Sequence, residues 1–293
     1  MLSYHVKWQD QKGVIYIRSE GKKESGRLMM IVCPMLEDEM IYNLTTDPDE
    51  KRIFLLANKN IGTILPKLKS NGIEFEQISE EDFFNENANV PREGYNVIIW
   101  MMNLGLHSEP KDLASEIRRL MLTVPGHADG IALYYGLCGK GLEGIREWGR
   151  ENLPIPMTLF TDKEGKLCDD CICVPLGSSE KYLNLMKEHT GVMYLTPAVA
   201  CSWKEFLGHS ELFKGLDRID MSPKEFTKLM LDMAGYKQCL KIQTNMGDQV
   251  NFQEKCEEYA KELELELIEL EGGWVSTEVA DRIYVEAKSF LRK

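Results

Sequence analysis

The octapeptide Tyr134-Tyr135-Gly136-Leu137-Cys138-Gly139-Lys140-Gly141 is the most informative stretch of this chain. The apolar run over residues 130–135 is typical of a buried parallel strand, and a helical pattern begins near Leu142. A strand, a Gly-rich turn and a helix in succession place Cys138 at the carboxyl edge of a sheet, where open α/β sheets bind ligands. There the field of a helix N-terminus is expected to lower the pKa of the Cys138 thiol and to favour the thiolate.

The same succession of strand and helix recurs on both sides of this stretch. A β-α-β-α-β series predicts a parallel sheet with crossover helices. Buried strands are predicted at residues 27–33, 53–57, 73–78, 95–102, 154–160, 191–196, 239–244 and 265–270. The predicted fold class is therefore α/β, with two or three Rossmann-like lobes whose mainly parallel sheets surround a shared site.

The strand pattern also predicts a division of the chain into segments. Residues 1–26 form an N-terminal extension with a candidate edge strand at residues 14–17. A first α/β lobe is predicted over residues 27–90 and a central α/β lobe, carrying most site residues, over residues 91–235. A C-terminal β-α-β-α lobe is predicted over residues 236–293.

Composition excludes several classes of protein. The net charge of -12 over 293 residues argues against a general nucleic-acid binder, which needs a basic face. No apolar run has the length of a membrane span, and the start of the chain lacks a signal-peptide core. We therefore expect a cytoplasmic protein with neither nucleic acid nor membrane as a partner. In that compartment the eight cysteines are not expected to form a disulfide framework.

Two further residues share the predicted placement of Cys138. Cys33 and His107 each follow a buried strand and precede a helical pattern, and His107 is the only histidine so placed. Cys171, in the segment Cys168-x-x-Cys171-x-Cys173, is a fourth candidate. Thiolates with an imidazole suit zinc, and a set richer in thiolates suits an iron–sulfur cluster. The sequence thus predicts a metal site formed by Cys33, His107, Cys138 and Cys171.

Each of these residues also has a structural interpretation. Any of the cysteines could be a small buried apolar side chain, and this is favoured for Cys168 and Cys173. If residues 171–174 formed a strand, Cys171 and Cys173 would share one face and could both point inward. His107 could instead be a hydrogen-bonded core or capping residue.

Weaker signals surround the cysteines. Gly136, Gly139 and Lys140 could cradle a phosphate or other anion of a cofactor, although the Lys-Ser/Thr ending of a Walker loop is absent. Lys140 is otherwise a solvated lysine. Thr196 stands at another predicted strand end and is expected on the rim of the site. Asp170, with its neighbour Asp169, could accept a hydrogen bond from His107 or act as a general base, or could cap a turn.

Several motifs together resemble a known family. They are the strand end at Cys33, Leu104-Gly-Leu-His107, Tyr135-Gly-Leu-Cys138-Gly, Asp170-Cys171-Ile, Leu176-Gly and Tyr194-Leu-Thr-Pro197. From about Leu28 to Leu207 the chain resembles domain-of-unknown-function family 1638, and its tail over residues 235–271 is similar to that of methanogen-type members. The resemblance implies that Cys33, His107, Cys138 and Cys171 recur together. It also implies a role near corrinoid-dependent methyl transfer from methylamines or methylated thiols, with a corrinoid protein or methyltransferase as partner and the corrinoid bound only by that partner.

Three functional hypotheses follow. In the first, the chain is an enzyme or accessory protein of one-carbon metabolism whose zinc activates a small thiol or methyl-carrying substrate. In the second, the same ligands hold a closed zinc or an iron–sulfur cluster, and the protein delivers electrons or metal to a partner. In the third, no metal is bound, and Cys138 is a nucleophile with His107 as its base. All three fail if the four residues lie more than about 10 Å apart, far beyond metal-ligand reach.

Overall fold

A computed structural model describes residues 5–9, 15–19, 25–108, 110–209, 221–270 and 273–291 of the chain. Near the N-terminus, β1 (His5–Gln9) pairs with β2 (Ile15–Ser19) in an antiparallel ribbon. This agrees with the strand predicted at residues 14–17. The predicted extension otherwise lies largely outside the described residues.

The main sheet has six parallel strands in the order β5-β4-β6-β3-β7-β8. The strands are β3 (Gly26–Val32), β4 (Arg52–Ala57), β5 (Glu76–Ser79), β6 (Tyr95–Met101), β7 (Gly130–Tyr134) and β8 (Met157–Leu159). Strands β6 and β7 are buried along their whole length, as expected when helices cover both faces of a parallel sheet. The first strand, β3, lies between β6 and β7, so the chain extends the sheet in both directions from its middle.

Most of the helices that accompany this sheet follow its strands directly in the chain. They are α1 (Glu37–Thr46), α2 (Ile64–Ser70), α3 (Glu80–Phe84), α4 (Pro110–Thr123), α5 (Ile145–Asn152) and the last helix of the chain, α11 (Glu278–Lys288). Helix α11 packs on β7, β8 and α1, which brings the end of the chain back to the main sheet. Short 3-10 turns, Pro34–Leu36 and Leu104–Ser108, stand between β3 and α1 and between β6 and α4.

A second, smaller sheet is also parallel, with the order β11-β10-β9. Its strands are β9 (Val192–Leu195), β10 (Gln238–Lys241) and β11 (Glu266–Glu269). The helices around it are α6 (Cys173–Leu176), α7 (Ser179–Glu188), α8 (Pro197–His209), α9 (Pro223–Met233) and α10 (Gln249–Leu263). The predicted α/β class with mainly parallel sheets is confirmed.

Helix α8 joins the two sheets. It follows β9 of the small sheet and packs against α1 and against both 3-10 turns of the main sheet. The carboxyl edge of the main sheet is therefore covered by an element of the small one. Among the described residues, no helix combines the length and apolar character needed to cross a membrane.

The lobe boundaries at 90/91 and 235/236 remain a prediction. Hydrogen-bonded strands cross both of them, since β4 pairs with β6 and β9 pairs with β10. One local expectation is wrong, since the helix expected near Leu142 begins at Ile145, after a series of turns. The strand considered for residues 171–174 is not formed, because residues 173–176 are a short helix.

Candidate functional site

The predicted site residues follow three neighbouring strands of the main sheet. The backbone N–H of Cys33, just after β3, donates to the carbonyl oxygen of Tyr134 at the end of β7, with 3.2 Å between N and O. On the other side, the N–H of Met102, just after β6, donates to Val32 of β3 at 2.9 Å. Cys33 therefore lies between the turn that follows β6, which contains His107, and the turn that follows β7, which contains Cys138.

Backbone hydrogen bonds bring the Cys171 segment against the Cys138 turn. The N–H groups of Leu137 and Cys138 donate to the carbonyl oxygens of Cys168 and Asp169, at 2.9 and 2.8 Å. Gly136 permits this approach, because a Cβ at that position would stand 2.7 Å from the Cα of Asp170. The glycine thus has a packing role that the sequence did not reveal, and its predicted contact with a cofactor stays a prediction.

Electrostatics show that three thiols share one environment. Burial raises the pKa of Cys33 well above its usual value, and the neighbouring Cys138 raises it further. Burial is also the main cause that raises the pKa of Cys171, with added contributions from Asp170, Cys33 and Cys138. Cys33 is buried, whereas Cys138 and Cys171 keep part of their surface exposed. The structure therefore groups three of the four predicted ligands at one edge, and two of these residues keep part of their surface exposed.

The expected lowering of the Cys138 pKa is wrong. Burial, reinforced by the charge of Asp170, raises the pKa of Cys138 to about 12. The helix field does not counter this, because α5 begins seven residues further on, at Ile145; such fields act only over the first turn. At neutral pH the thiol of Cys138 holds its proton unless a cation displaces it.

His107 lies in the 3-10 turn Leu104–Ser108 that packs against α8. The position of its side chain is outside the described part of the structure. Its placement at the strand end agrees with the prediction, and its role as ligand or base remains a prediction.

The weaker candidates divide into two placements. Thr196 is buried and accepts a hydrogen bond from the N–H of Val199 at 3.3 Å, so it caps α8. Gly139 and Lys140 are exposed and both have positive φ, of 64° and 71°. Lys140 thus has the placement of a solvated lysine. The cofactor-binding role suggested for these three residues stays a prediction.

Asp170 has a defined structural contact. Its Oδ1 accepts hydrogen bonds from the N–H groups of Ile172 and Cys173, both at 2.9 Å. This is the capping arrangement considered for it, and it fixes the turn that presents Cys171. Because residues 173–176 are helical, Cys171 and Cys173 do not share the face of a strand.

Cys168 and Cys173 form a separate pair. Both are buried, and a hydrogen bond between their thiols raises the pKa of Cys168. The sulfur of Cys173 also lies 3.5 Å from the Oγ of Ser179. These contacts agree with a packing role for Cys168 and Cys173, on either side of Cys171 in the chain.

Glu39 is a residue of the site that the sequence did not indicate. It lies in the first turn of α1 and is 5% exposed. Burial, with the neighbouring charge of Asp38, raises its pKa to about 8. Its own charge adds to the raised pKa values of Cys33 and Cys171. An acidic residue in a first helical turn usually faces solvent, so the pattern Glu37-Asp38-Glu39 gave no warning of burial.

The donor chemistry of this edge suits a metal, since thiols with a carboxyl group belong to the common ligands of zinc. Within the described residues, no three His, Cys, Asp or Glu side chains already stand close enough together to hold a metal ion. Binding would therefore require the thiols to close around the metal, two of them on turns rather than on strands.

Comparison with known proteins identifies a family. Residues 101–279 match the family model described as a protein of unknown function, DUF1638. The match covers more than half of the chain, and the chain therefore belongs to this family. The matched range includes His107, Cys138 and Cys171, whereas Cys33 and Glu39 precede it. No curated protein and no solved structure matches the chain.

Proposed function

We propose that this member of the DUF1638 family binds a metal through Cys33, His107, Cys138 and Cys171. In this proposal it is an enzyme or accessory protein of corrinoid-linked one-carbon metabolism. The observation that supports the metal site is the placement of three thiols, from separate segments, at one sheet edge. The turn that contains His107 lies beside them. Thiolates and imidazole are the donors that zinc and iron–sulfur clusters use.

The raised pKa values favour a metal over a free nucleophile. A thiol that keeps its proton at neutral pH is a weak nucleophile, and the pKa of Cys138 is raised to about 12. A divalent cation reverses this balance, because it replaces the proton on each ligand thiol. The thiols would then be the resting ligands of a metal rather than catalytic groups on their own.

Zinc is the first choice for this metal, and an iron–sulfur cluster is the alternative. Bound zinc would supply a Lewis acid that keeps a substrate thiol ionised for methyl transfer. The protein's own contribution would be to position the ligands, since Asp170 fixes the turn that carries Cys171. In this proposal a small-molecule substrate would approach the metal from the side on which Cys138 and Cys171 are partly exposed.

The metabolic setting rests on the family resemblance. In that setting the protein would act in the cytoplasm of an anaerobe such as a methanogen, beside a corrinoid protein or a methyltransferase. The corrinoid itself would be carried by that partner. Two findings are compatible with this setting: the chain is acidic, and its described helices include no membrane span.

The test is elemental analysis with a visible spectrum on protein purified without oxygen. Wild type is compared with Cys138→Ser and with the control Cys239→Ser, whose thiol is fully buried in the small sheet. Stoichiometric zinc that is lost only in Cys138→Ser supports the proposal. Iron with sulfide and a brown absorbance would show that the site holds an iron–sulfur cluster rather than zinc. Absence of metal from all three proteins, after reconstitution with zinc and with iron and sulfide, would refute the metal site.

A further inference from the structure

We propose that Glu39 is a further ligand of this metal, and that its carboxylate supplies an oxygen donor beside the thiolates. The inference rests on the proposed function, because it adds a residue to the same site. It also narrows the choice of metal: carboxylate oxygen is a regular zinc ligand, whereas the clusters described above are held mainly by thiolates.

Helix geometry directs Glu39 toward the site. Asn43, one turn later on α1, accepts a hydrogen bond from the hydroxyl of Tyr134 at 2.9 Å. Residues four apart lie on the same face of a helix, and Glu39 is the one nearer the N-terminus. Since α1 starts just beyond the strand end at Cys33, this face of its first turn lies over the carboxyl ends of β3 and β7.

Glu39 differs from Glu37 and Asp38, its neighbours on α1, in its side-chain contacts. Glu37 and Asp38 are as deeply buried, but Lys67 forms ion pairs with both, at 2.9 and 2.8 Å. Thr63 donates a further hydrogen bond to Glu37 at 3.0 Å. Among the described residues, no side chain forms an ion pair or a hydrogen bond with the carboxyl group of Glu39. A carboxyl group buried to this extent without a cation is costly unless it stays protonated or binds one.

The electrostatic contacts point the same way. The negative charge of Glu39 contributes to the raised pKa values of the Cys33 and Cys171 thiols and of the Tyr134 hydroxyl. The charge of Lys67 also acts on Glu39, but it does not offset burial and the neighbouring acids, and Lys67 forms its ion pairs with Glu37 and Asp38. A metal bound between those thiols would supply a positive charge in direct contact with the carboxyl group of Glu39. Binding involves no change of oxidation state: the metal displaces one proton from each thiol and from the carboxyl group, and these protons pass to solvent.

Cobalt titration of the metal-free protein under argon tests this ligand. Co²⁺ reports its donors directly: thiolates give intense near-ultraviolet charge-transfer bands, and the weaker visible bands depend on coordination number and geometry. Four proteins are compared, namely wild type, Glu39→Gln, the matched control Glu37→Gln and Cys138→Ser. Glu37 suits the control because it is equally buried on the same turn but is paired with Lys67.

We expect Glu39→Gln to bind Co²⁺ at least about 10- to 100-fold more weakly, because removal of a group that merely supports a metal ligand already costs that much. Its visible bands should shift, its thiolate bands should persist, and Glu37→Gln should match wild type. Glu39→Asp, which keeps the carboxylate on a shorter side chain, should fall between Gln and wild type and covers the case of a poorly folded Gln variant.

Glu39→Gln with the affinity and the visible bands of wild type would refute the ligand role while leaving the thiol site intact. A wild type that fails to bind Co²⁺, or a Cys138→Ser variant that binds it equally well, would instead refute the proposed function, and this inference with it.

Discussion

The carbonyl oxygen of Asp169 accepts a hydrogen bond from the backbone N–H of Cys138, with 2.8 Å between the two atoms. The bond joins two turns that are about thirty residues apart in the chain. One of these turns carries Cys138, and the other carries Cys171. The relative position of these two thiols therefore depends on backbone contacts between the turns as well as on the strands that precede them.

Gly136→Ala should disturb this contact. The added Cβ would meet the Cα of Asp170 at 2.7 Å, a backbone atom that cannot rotate away. We expect a loss of about 1–3 kcal/mol in the free energy of unfolding, typical of overpacking. A clear loss of Co²⁺ affinity should accompany it, because the two turns must separate. Urea unfolding and cobalt titration measure the two effects.

Gly62→Ala is the control for that substitution. Gly62 is exposed, has no atom within 4 Å of an added Cβ, and lies outside the region of positive φ. Its variant should bind Co²⁺ as wild type does. Equal behaviour of the two variants would show that the contact between Gly136 and Asp170 does not position the thiols.

The strand ends of the site could be predicted from sequence because they follow a local rule. A buried apolar run ends at Cys33, another ends shortly before Cys138, and parallel strands present their carboxyl ends at one edge. Each inference needs only the neighbouring residues. The family resemblance adds the order of these motifs along the chain, and the match of residues 101–279 confirms the family itself.

The remaining features depend on contacts that no local pattern encodes. Helix α1 packs against α2, α8 and α11, and the burial of Glu39 depends on such contacts between distant segments. The raised pKa of Cys138 follows from burial and from Asp170, which lies on another segment. The expectation of a lowered pKa assumed that a helix starts directly after the glycine turn, and the extra turns before Ile145 remove that effect.

The cysteines should separate into two groups by substitution. Cys33→Ser and Cys171→Ser are expected to abolish stoichiometric zinc, since each removes a ligand of the proposed site. Cys168→Ala and Cys173→Ala should retain zinc. Each should lose about 1–3 kcal/mol in the free energy of unfolding, because both thiols are buried and hydrogen-bonded to each other. Zinc content with urea unfolding distinguishes the groups. Loss of zinc from Cys173→Ala in a folded protein would place that residue among the ligands.

Glu39→Gln should stabilise the metal-free protein at neutral pH. The pKa of Glu39 rises from about 4.3 in an unfolded chain to about 8 in the fold. Ionisation is therefore easier in the unfolded chain, so the stability of wild type falls as pH rises from about 4 toward 8 and then levels off. At pH 7 the variant should be more stable by up to about 4 kcal/mol, and at pH 5 by about 1 kcal/mol.

Urea unfolding with a chelator at the two pH values measures this difference. Glu37→Gln serves again as control, and it should lose stability because its ion pair with Lys67 is broken. A Glu39→Gln variant whose advantage is the same at pH 5 and pH 7 would contradict a buried carboxyl group that titrates in this range.

Asp47 should give the opposite pH dependence. Its carboxylate, after the end of α1, accepts hydrogen bonds from Lys288 at 2.9 Å and from Tyr284 at 2.7 Å, which attach α11 to the main sheet. Burial acts to raise the pKa of Asp47, but these two partners outweigh it and lower the pKa below its usual value. The ionised form is therefore favoured by the fold. The stabilisation that the ionised Asp47 gives the fold is fully present above the unfolded pKa of about 3.9. It is lost as pH falls through the lower pKa of the folded state.

Asp47→Asn should therefore cost about 2–4 kcal/mol at pH 7, because it leaves Lys288 partly buried with one partner fewer. As pH falls below the folded pKa, the difference from wild type should shrink, since Asp47 is then protonated in both states. Asp49→Asn is the matched control: its carboxylate contacts the same Lys288 at 2.7 Å but is 28% exposed, so it should cost less than about 1 kcal/mol. Urea unfolding at pH 7 and at a series of lower pH values measures these differences. A deficit of Asp47→Asn that does not shrink as pH is lowered would show that shape and hydrogen bonding, rather than charge, hold α11 in place.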